Sequence, residues 1–143
     1  MNNTIKRFRI IVLTVVIGFS IAGCLSFFMP LAFPQTGTWS VVWKGDSGNF
    51  SGKMVIEQVN GNTFIGYFDW YWGNNEYAGR ETFTGNFDPG TNVVTINGNA
   101  ITKIGTAEYN GFHLITGNYR GTINRSTLNI QGDGDKWSAA RGE

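Results

Sequence analysis

The stretch that decides the fold is residues 50–70, which reads FSGKMVIEQVNGNTFIGYFDW. In both of its halves, around Met54 and around Phe68, an apolar residue or a glycine recurs at every second position. Such alternation is typical of a β-strand that buries one face. The Asn60-Gly61-Asn62 turn between the halves contains residue types that tolerate the positive φ of a tight hairpin. The stretch therefore predicts two antiparallel strands joined by a short turn.

The same pattern continues on both sides of this hairpin, with turn residues in every break, and predicts eight strands. The predicted strands are Gly37 to Trp43, Phe50 to Gln58, Thr63 to Trp72, Arg80 to Phe87, Asn92 to Ile101, Phe112 to Ile123, Thr127 to Gln131 and Lys136 to Arg141. Closing such a meander removes both of its unpaired edges. Because most outward positions are Thr, Asn, Lys or Glu, the barrel is expected to be water-soluble rather than membrane-spanning. The predicted fold class is all-β, an eight-stranded antiparallel up-and-down β-barrel after an N-terminal hydrophobic signal or anchor helix.

Composition and charge exclude several classes of protein. Hydrophobic residues make up 41% of the chain and charged residues 15%, which favours a packed core over a disordered chain. Beyond the three basic residues among the first nine, eight basic and ten acidic side chains remain, a net charge of −2. This balance does not supply the basic face that nucleic acid requires. One Cys and one His exclude a disulfide framework and a Cys/His zinc cluster, so no metal and no cofactor are expected.

The N-terminal segment is typical of an export signal or a membrane anchor. Its basic residues precede an uncharged span of 24 residues, from Ile10 to Phe33. The tetrad Ile21-Ala22-Gly23-Cys24 resembles the lipobox of bacterial lipoproteins, in which the Cys thiol receives diacylglycerol before cleavage. The resemblance implies a signal peptide at 1–23, lipidation of Cys24 and a short linker at 24–36.

Two other interpretations of this segment stay open. Residues 10–33 would span roughly 30 to 36 Å as an uncleaved helix, long enough for a membrane anchor. Cleavage by the ordinary signal peptidase is the third interpretation. All three place residues beyond about 34 outside the cytoplasm, because the basic residues stay inside. The predicted location is therefore the bacterial cell envelope, with the domain tethered to a membrane.

Motifs at the two ends of region 37–143 resemble those of the calycin superfamily. They are Gly37-Thr38-Trp39 at the start and Trp137-Ser138-Ala139-Ala140-Arg141 at the end, the second being most similar to avidin. The resemblance implies a calycin-like barrel in which Arg141, on the strand that begins at Trp137, lies across the indole of Trp39 at the closed base. A cation–π contact of this kind contributes about 0.5 to 2 kcal/mol. These three residues are the predicted closure of the barrel.

Biotin binding is not expected despite the similarity to avidin. Two residues after the first Trp, where avidins have a polar Asn, this chain has Val41. Avidins also line their pocket with Trp residues from later strands, whereas no Trp lies between Trp72 and Trp137 here. A buried urea group needs several fixed hydrogen-bond partners, and each unpaired polar group costs about 1 to 3 kcal/mol.

Residues 69–77, DWYWGNNEY, form the most distinctive patch for binding. In avidin-like barrels the loop between the third and fourth strands closes over the open mouth. The resemblance therefore implies that Asp69, Trp70, Trp72 and Tyr77 meet a ligand or a partner. Exposed aromatic rings suit stacking on a ring or a sugar and also suit anchoring a protein contact. The alternative is that these rings only pack the barrel and its lid.

Catalysis is not expected, since His113 is the only imidazole and no nucleophile or orienting carboxylate stands with it in a recognised motif. Asp133 and Asp135 resemble a calcium loop only weakly and are interpreted as a hairpin turn. The first functional hypothesis is a non-enzymatic, membrane-tethered extracytoplasmic barrel that binds a small apolar or aromatic ligand, or a glycan, at its open end. The alternative is a packed envelope module that contacts another protein through the same aromatic loop. A cavity of roughly 300 Å³ or more would favour the first.

Overall fold

The structure, a computed structural model, describes residues 32–45, 48–73, 75–106 and 113–142. Within these ranges the strands are β1 (Gly37–Gly45), β2 (Gly48–Asn60), β3 (Thr63–Trp72), β4 (Glu76–Asp88), β5 (Val93–Ile104), β6 (Asn118–Ile123), β7 (Ile130–Gly132) and β8 (Trp137–Arg141). Each strand pairs antiparallel with the next, and β8 pairs with β1, so that the sheet closes into a barrel. The prediction of an eight-stranded antiparallel barrel is confirmed. The predicted N-terminal helix and Cys24 lie outside the described residues.

The seam between β1 and β8 runs from the pair Trp39–Arg141 to the pair Trp43–Trp137. The guanidinium carbon of Arg141 lies 5.3 Å from the centroid of the Trp39 ring. The indole N–H of Trp39 also donates to the backbone carbonyl of Leu128, at 3.0 Å. Trp39, on β1, is thus held by Arg141 of β8 and by the segment before β7. These contacts fasten β1 to the end of the chain at the base of the barrel.

The interior is filled by side chains at alternate positions of each strand, as the sequence pattern predicts. The large side chains with less than 2% exposure include Trp39, Met54, Ile56, Phe64, Phe68, Phe83, Val94 and Ile96. Burying each of these side chains contributes about 1.5 to 3 kcal/mol. Gly85 shows how tight the fit is, because a Cβ on it would lie 2.2 Å from the Phe64 ring. The Phe64 ring occupies the space that a side chain at position 85 would need.

Phe33, in the segment before β1, covers the base of the barrel. Its ring packs edge-on against three aromatic rings of the core, with centroid distances of 6.2, 5.5 and 5.3 Å to Trp39, Phe64 and Phe87. Phe33 is 8% exposed. The last residues of the predicted linker therefore contribute to the core.

The predicted sixth strand is wrong in its first part. The described residues 113–117 are not in a strand, and β6 begins at Asn118. The backbone N–H of Gly117 donates to the Glu81 side chain at 2.6 Å, while its carbonyl accepts from the N–H of Gly98 at 2.8 Å. Because a side chain takes the hydrogen bond that a neighbouring strand would accept, the ladder between β5 and β6 stops at Asn118.

The predicted seventh strand also begins later than expected, at Ile130 rather than Thr127. The side-chain oxygen of Asn124 accepts the backbone N–H of Ser126 at 2.9 Å and holds a turn there. Leu128 then adopts a positive φ of 57°, which is incompatible with a strand. Local side-chain to backbone bonds of this kind compete with sheet formation.

Candidate functional site

The mouth of the barrel, at the end opposite Trp39 and Arg141, contains a cavity of about 320 Å³. The end of β1, the start of β2, the end of β3 and the start of β6 meet there because antiparallel neighbours alternate in direction. Segment 113–117 completes the wall. The lining residues are Trp43, Phe50, Trp70, His113, Leu114, Ile115, Thr116, Gly117 and Tyr119.

Aromatic rings form the floor of the cavity and part of its wall. The rings of Trp70 and Tyr119 are stacked, with centroids 6.1 Å apart and planes inclined by 29°. Trp43 stands at 90° to Tyr119, with a centroid distance of 5.5 Å. Beneath them, Phe68 stacks on Trp70 at 5.0 Å and continues into the packed core. The packed interior therefore ends at Trp70 and Tyr119, and the open volume begins above them.

Glu81 lies under this floor and is fully buried, at 0% exposure. Its Oε2 accepts hydrogen bonds from the Trp70 indole N–H at 3.0 Å and from the Tyr119 hydroxyl at 2.7 Å. Its Oε1 accepts the Gly117 backbone N–H at 2.6 Å. All three partners line the cavity, so one carboxylate fixes two wall rings and the end of segment 113–117.

The local strand geometry makes room for this carboxylate. The pairing of β4 with β5 is irregular on both sides of Glu81, between Arg80 and Glu81 and between Thr82 and Phe83. A Cβ on Gly98 of β5 would lie 2.0 Å from Oε1 of Glu81. Burial, followed by the neighbouring carboxylate, raises the pKa of the Tyr119 hydroxyl. Tyr119 therefore keeps its proton and remains a donor to Glu81.

A second polar cluster lies on the outer face of the wall, where Asp69 of β3 faces Arg80 of β4. Arg80 donates two hydrogen bonds to the carboxylate, at 2.8 and 2.6 Å, and Tyr77 donates one at 3.0 Å. The Arg80 guanidinium also lies 3.6 Å from the centroid of the Tyr67 ring. These contacts tie the two strands together on the side of the sheet that faces away from the cavity.

The pKa values of this cluster follow from its contacts. Burial alone would raise the pKa of Asp69, but the hydrogen bonds from Arg80 and Tyr77 outweigh it and hold the pKa below its usual value. Burial and the hydrogen bond to Asp69 raise the pKa of Tyr77 to about 12. The hydrogen bonds to Asp69 also raise the pKa of Arg80. At neutral pH, Asp69 is therefore ionised, whereas Arg80 and Tyr77 keep their protons. The three side chains together clamp β3 to β4.

The structure separates the four side chains that the sequence groups as a binding patch. Trp70 lines the cavity. Trp72 is partly buried beside it, with its ring 4.5 Å from that of Phe50. Asp69 and Tyr77 belong to the outer cluster and do not line the cavity. A register irregularity beside Trp70 explains the position of Tyr77: Trp70 pairs with Gly79 and Tyr71 with Tyr77, which leaves one extra residue on β4 and turns Tyr77 outward.

Trp137 lies at the mouth end of the seam, away from the pair Trp39 and Arg141. Its indole N–H donates to the backbone carbonyl of Arg120 at 3.0 Å, and its ring packs edge-on against Tyr119 at 5.8 Å. Trp137 therefore supports the floor of the cavity from behind. His113 is on the cavity lining rather than in a strand.

Sequence reasoning missed Glu81 and segment 113–117. Glu81 shares the parity of Phe83 and Phe87 on the fourth strand, and that parity alone would have placed it inside the barrel. Nothing local signals its partners, because Gly117 and Tyr119 are 36 and 38 residues away along the chain.

Within the described ranges, no group of three or more His, Cys, Asp or Glu side chains is arranged to hold a metal ion. No helix in the same ranges is long and apolar enough to cross a membrane. Comparisons with protein-family models, curated proteins and solved structures found no match.

Proposed function

We propose that the barrel binds a small apolar or aromatic ligand in the cavity at its mouth, without transforming it. The observation that carries this proposal is the volume of about 320 Å³ between aromatic side chains, at the point where the packed core ends. Ligand pockets for small molecules begin at about 300 Å³ and are lined mostly by apolar and aromatic groups. The cavity favours ligand binding over a packed interaction module.

The wall chemistry favours an apolar or aromatic ligand over a glycan. A sugar needs donors and acceptors that face it along much of its surface. Of the polar groups on the wall rings, the Trp70 N–H and the Tyr119 hydroxyl already donate to Glu81. Redirecting them to a sugar would leave Oε2 of the buried carboxylate without partners, at a cost of about 1 to 3 kcal/mol for each lost bond.

Binding without chemistry is proposed because the carboxylate beneath the site does not reach the ligand. Glu81 is fully buried, and three donors occupy its two oxygens. A general base must come within hydrogen-bond distance of the proton that it removes. Glu81 is placed instead to hold the wall in shape.

A neutral fluorescent probe, N-phenyl-1-naphthylamine, tests the proposal. Its emission rises in an apolar site, so titration of the protein should give a saturable increase. The variant Leu114→Trp places a larger side chain on the cavity lining and should abolish the increase. Ile104→Trp is the matched control, because Ile104 is 67% exposed and is not on the lining. Equal probe binding by the two variants, with unchanged circular dichroism, would contradict the proposal.

We also propose that the barrel is tethered in the bacterial cell envelope outside the cytoplasm. This rests on the sequence before residue 34: its basic start, its apolar span and the lipobox-like tetrad that ends at Cys24. Mass spectrometry of the mature N-terminus tests it. A diacylglyceryl group on Cys24 is the expected result, and a chain that keeps Met1 would exclude the lipoprotein form in favour of the uncleaved anchor.

A further inference from the structure

The negative charge of Glu81, beneath the cavity floor, limits which class of ligand the cavity can bind. The three hydrogen-bond partners of Glu81 are all donors, the complement of an ionised carboxylate. Among the described residues, no ion pair joins a lysine or an arginine to Glu81. Arg80, its neighbour in sequence, is bound to Asp69 on the outer face of the wall. The negative charge of Glu81 is therefore hydrogen-bonded but not neutralised by a described cation.

The wall rings add the negative potential of their own faces to that of Glu81. An aromatic ring has a positive edge and a negative face. Trp70 and Tyr119 direct their N–H and O–H edges to Glu81, so the parts of their ring faces that are not packed on Phe68 or on each other remain for the cavity. Trp43 adds a third ring, perpendicular to Tyr119. Several aromatic faces around one apolar space are the arrangement that binds alkylated ammonium groups.

We infer that the mouth cavity takes a small organic cation, an alkylated ammonium group carried on an apolar or aromatic body. The inference rests on the proposed function and names the ligand class for the same cavity. A quaternary ammonium group has no N–H to satisfy, which matches a cavity whose nearby carboxylate, Glu81, is enclosed behind the rings. A primary ammonium group would lose hydrogen bonds to water and could not regain them at Glu81. An anion would face the potential of Glu81, and no lysine or arginine is among the described residues that line the cavity.

Two probes of nearly identical shape distinguish the contribution of charge to binding from that of apolar contact. Phenyltrimethylammonium and tert-butylbenzene differ mainly in the positive nitrogen that replaces a carbon. Titration calorimetry at pH 7.5 should give a dissociation constant for the cation about tenfold or more below that of the neutral probe. Glu81→Gln should lower the ratio of the two constants by about threefold or more, because the contribution of the carboxylate is removed while that of the ring faces remains.

Asp69→Asn is the matched control, since it removes a carboxylate of the same sign from the outer face, where Arg80 already pairs with it. Its ratio of constants should stay within about twofold of the wild-type ratio. If circular dichroism shows that Glu81→Gln does not fold, Trp43→Leu replaces it as the test. Losing one ring face should weaken binding of the cation more than binding of the neutral probe.

The outcomes separate this inference from the proposal beneath it. Equal or weaker binding of the cation, together with clear binding of tert-butylbenzene, overturns the inference and leaves ligand binding in place. Binding of neither probe overturns both. A cation preference that survives Glu81→Gln unchanged also overturns the inference, because the preference would then not come from this carboxylate.

Discussion

At the scale of single residues, Glu81 is the most consequential side chain of the barrel. A fully buried carboxylate is costly unless it is hydrogen-bonded, and three donors supply those bonds here. The bonds join β3, β4 and the start of β6 at one point. A group that could destabilise the core thus fixes the position of the rings that define the cavity.

Glu81→Leu should lower the free energy of unfolding by about 3 kcal/mol or more, because buried donors that lose their acceptor cost about 1 to 3 kcal/mol each. Urea denaturation followed by circular dichroism measures this loss. Glu57→Leu is the control, since Glu57 is exposed on β2 and its replacement should change stability by about 0.5 kcal/mol at most. Similar losses in the two variants would show that the network around Glu81 does not stabilise the fold.

Gly98→Ala should destabilise the protein through the same carboxylate. The added Cβ would lie 2.0 Å from Oε1 of Glu81 and 2.9 Å from the carbonyl oxygen of Gly117, so the carboxylate has to move away from its donors. A double-mutant cycle with Glu81→Leu measures the coupling in thermal denaturation. We expect a coupling energy of about 0.5 to 3 kcal/mol, because the two sites share one contact. Strict additivity would mean that the methyl group is accommodated elsewhere.

At the scale of elements, the hairpin of β3 and β4 carries opposite chemistry on its two faces. Its inner face contributes Trp70 to the cavity floor and Glu81 beneath that floor, and its outer face carries the cluster of Asp69, Tyr77 and Arg80. The outer cluster clamps the two strands, so it supports the cavity without contacting it.

Stability should depend on pH through Asp69. Its pKa in the folded protein is below its usual value of 3.8, so its contribution is fully present above about pH 3.8 and is lost as pH falls through the lower, folded value. Asp69→Asn should therefore cost about 0.5 to 1 kcal/mol at pH 7, a figure reduced for partial exposure. The cost should shrink at pH 2.5. Urea denaturation at the two pH values measures it.

Asp133→Asn is the control for this dependence. Asp133 pairs with Arg120 at 3.5 Å, but both side chains are more than half exposed, at 58% and 63%. Such a pair contributes little in water. A pH-dependent loss in Asp133→Asn as large as that in Asp69→Asn would contradict the role given to the outer clamp.

Strand periodicity predicted the elements well where strands pair along their whole length. The predicted bounds of the third strand, Thr63 to Trp72, are those of β3. Prediction failed where a side chain competes with the ladder: Glu81 captures the Gly117 N–H, and Asn124 holds the turn before β7. Such contacts depend on closure of the barrel or on local polar geometry, neither of which alternation encodes.

The same limit applies to the candidate site. Trp70 could be placed at the mouth, because its strand and its parity were both correct. Tyr77 could not be placed, since a single extra residue on β4 reverses the side of the sheet on which it lies. The volume above the rings depends on how all the inward side chains share the interior, which parity does not determine.

At the scale of the whole molecule, closure brings the two ends of the barrel domain together. The backbone N–H of Gly142 donates to the carbonyl of Thr38 at 3.1 Å, next to the pair Trp39 and Arg141. Since β8 occupies the edge of β1, removing it would expose two unpaired edges. The pairing of β1 with β8 is therefore required for a complete sheet. The position of the chain ends in the sequence of strands is not required.

A circular permutant should fold. Joining residue 142 to residue 32 by a short linker and opening the chain at Gly61, in the exposed turn between β2 and β3, keeps every strand pair and the core residue Phe33. It should show the circular dichroism of the parent and bind N-phenyl-1-naphthylamine. A chain that ends at Lys136 and lacks β8 should lose both signals. An unfolded permutant alongside a folded truncated chain would contradict the role of the seam.

The chain enters β1 and leaves β8 at the base, and the cavity opens at the other end. A fluorescent protein, an affinity tag or a sensor chip attached before residue 32 or after residue 142 would consequently leave the opening unobstructed. If the proposed ligand binding is confirmed, the barrel could serve as the sensing domain of a biosensor, in which quenching of Trp43 or Trp70 by the bound compound would supply the optical readout without any added dye.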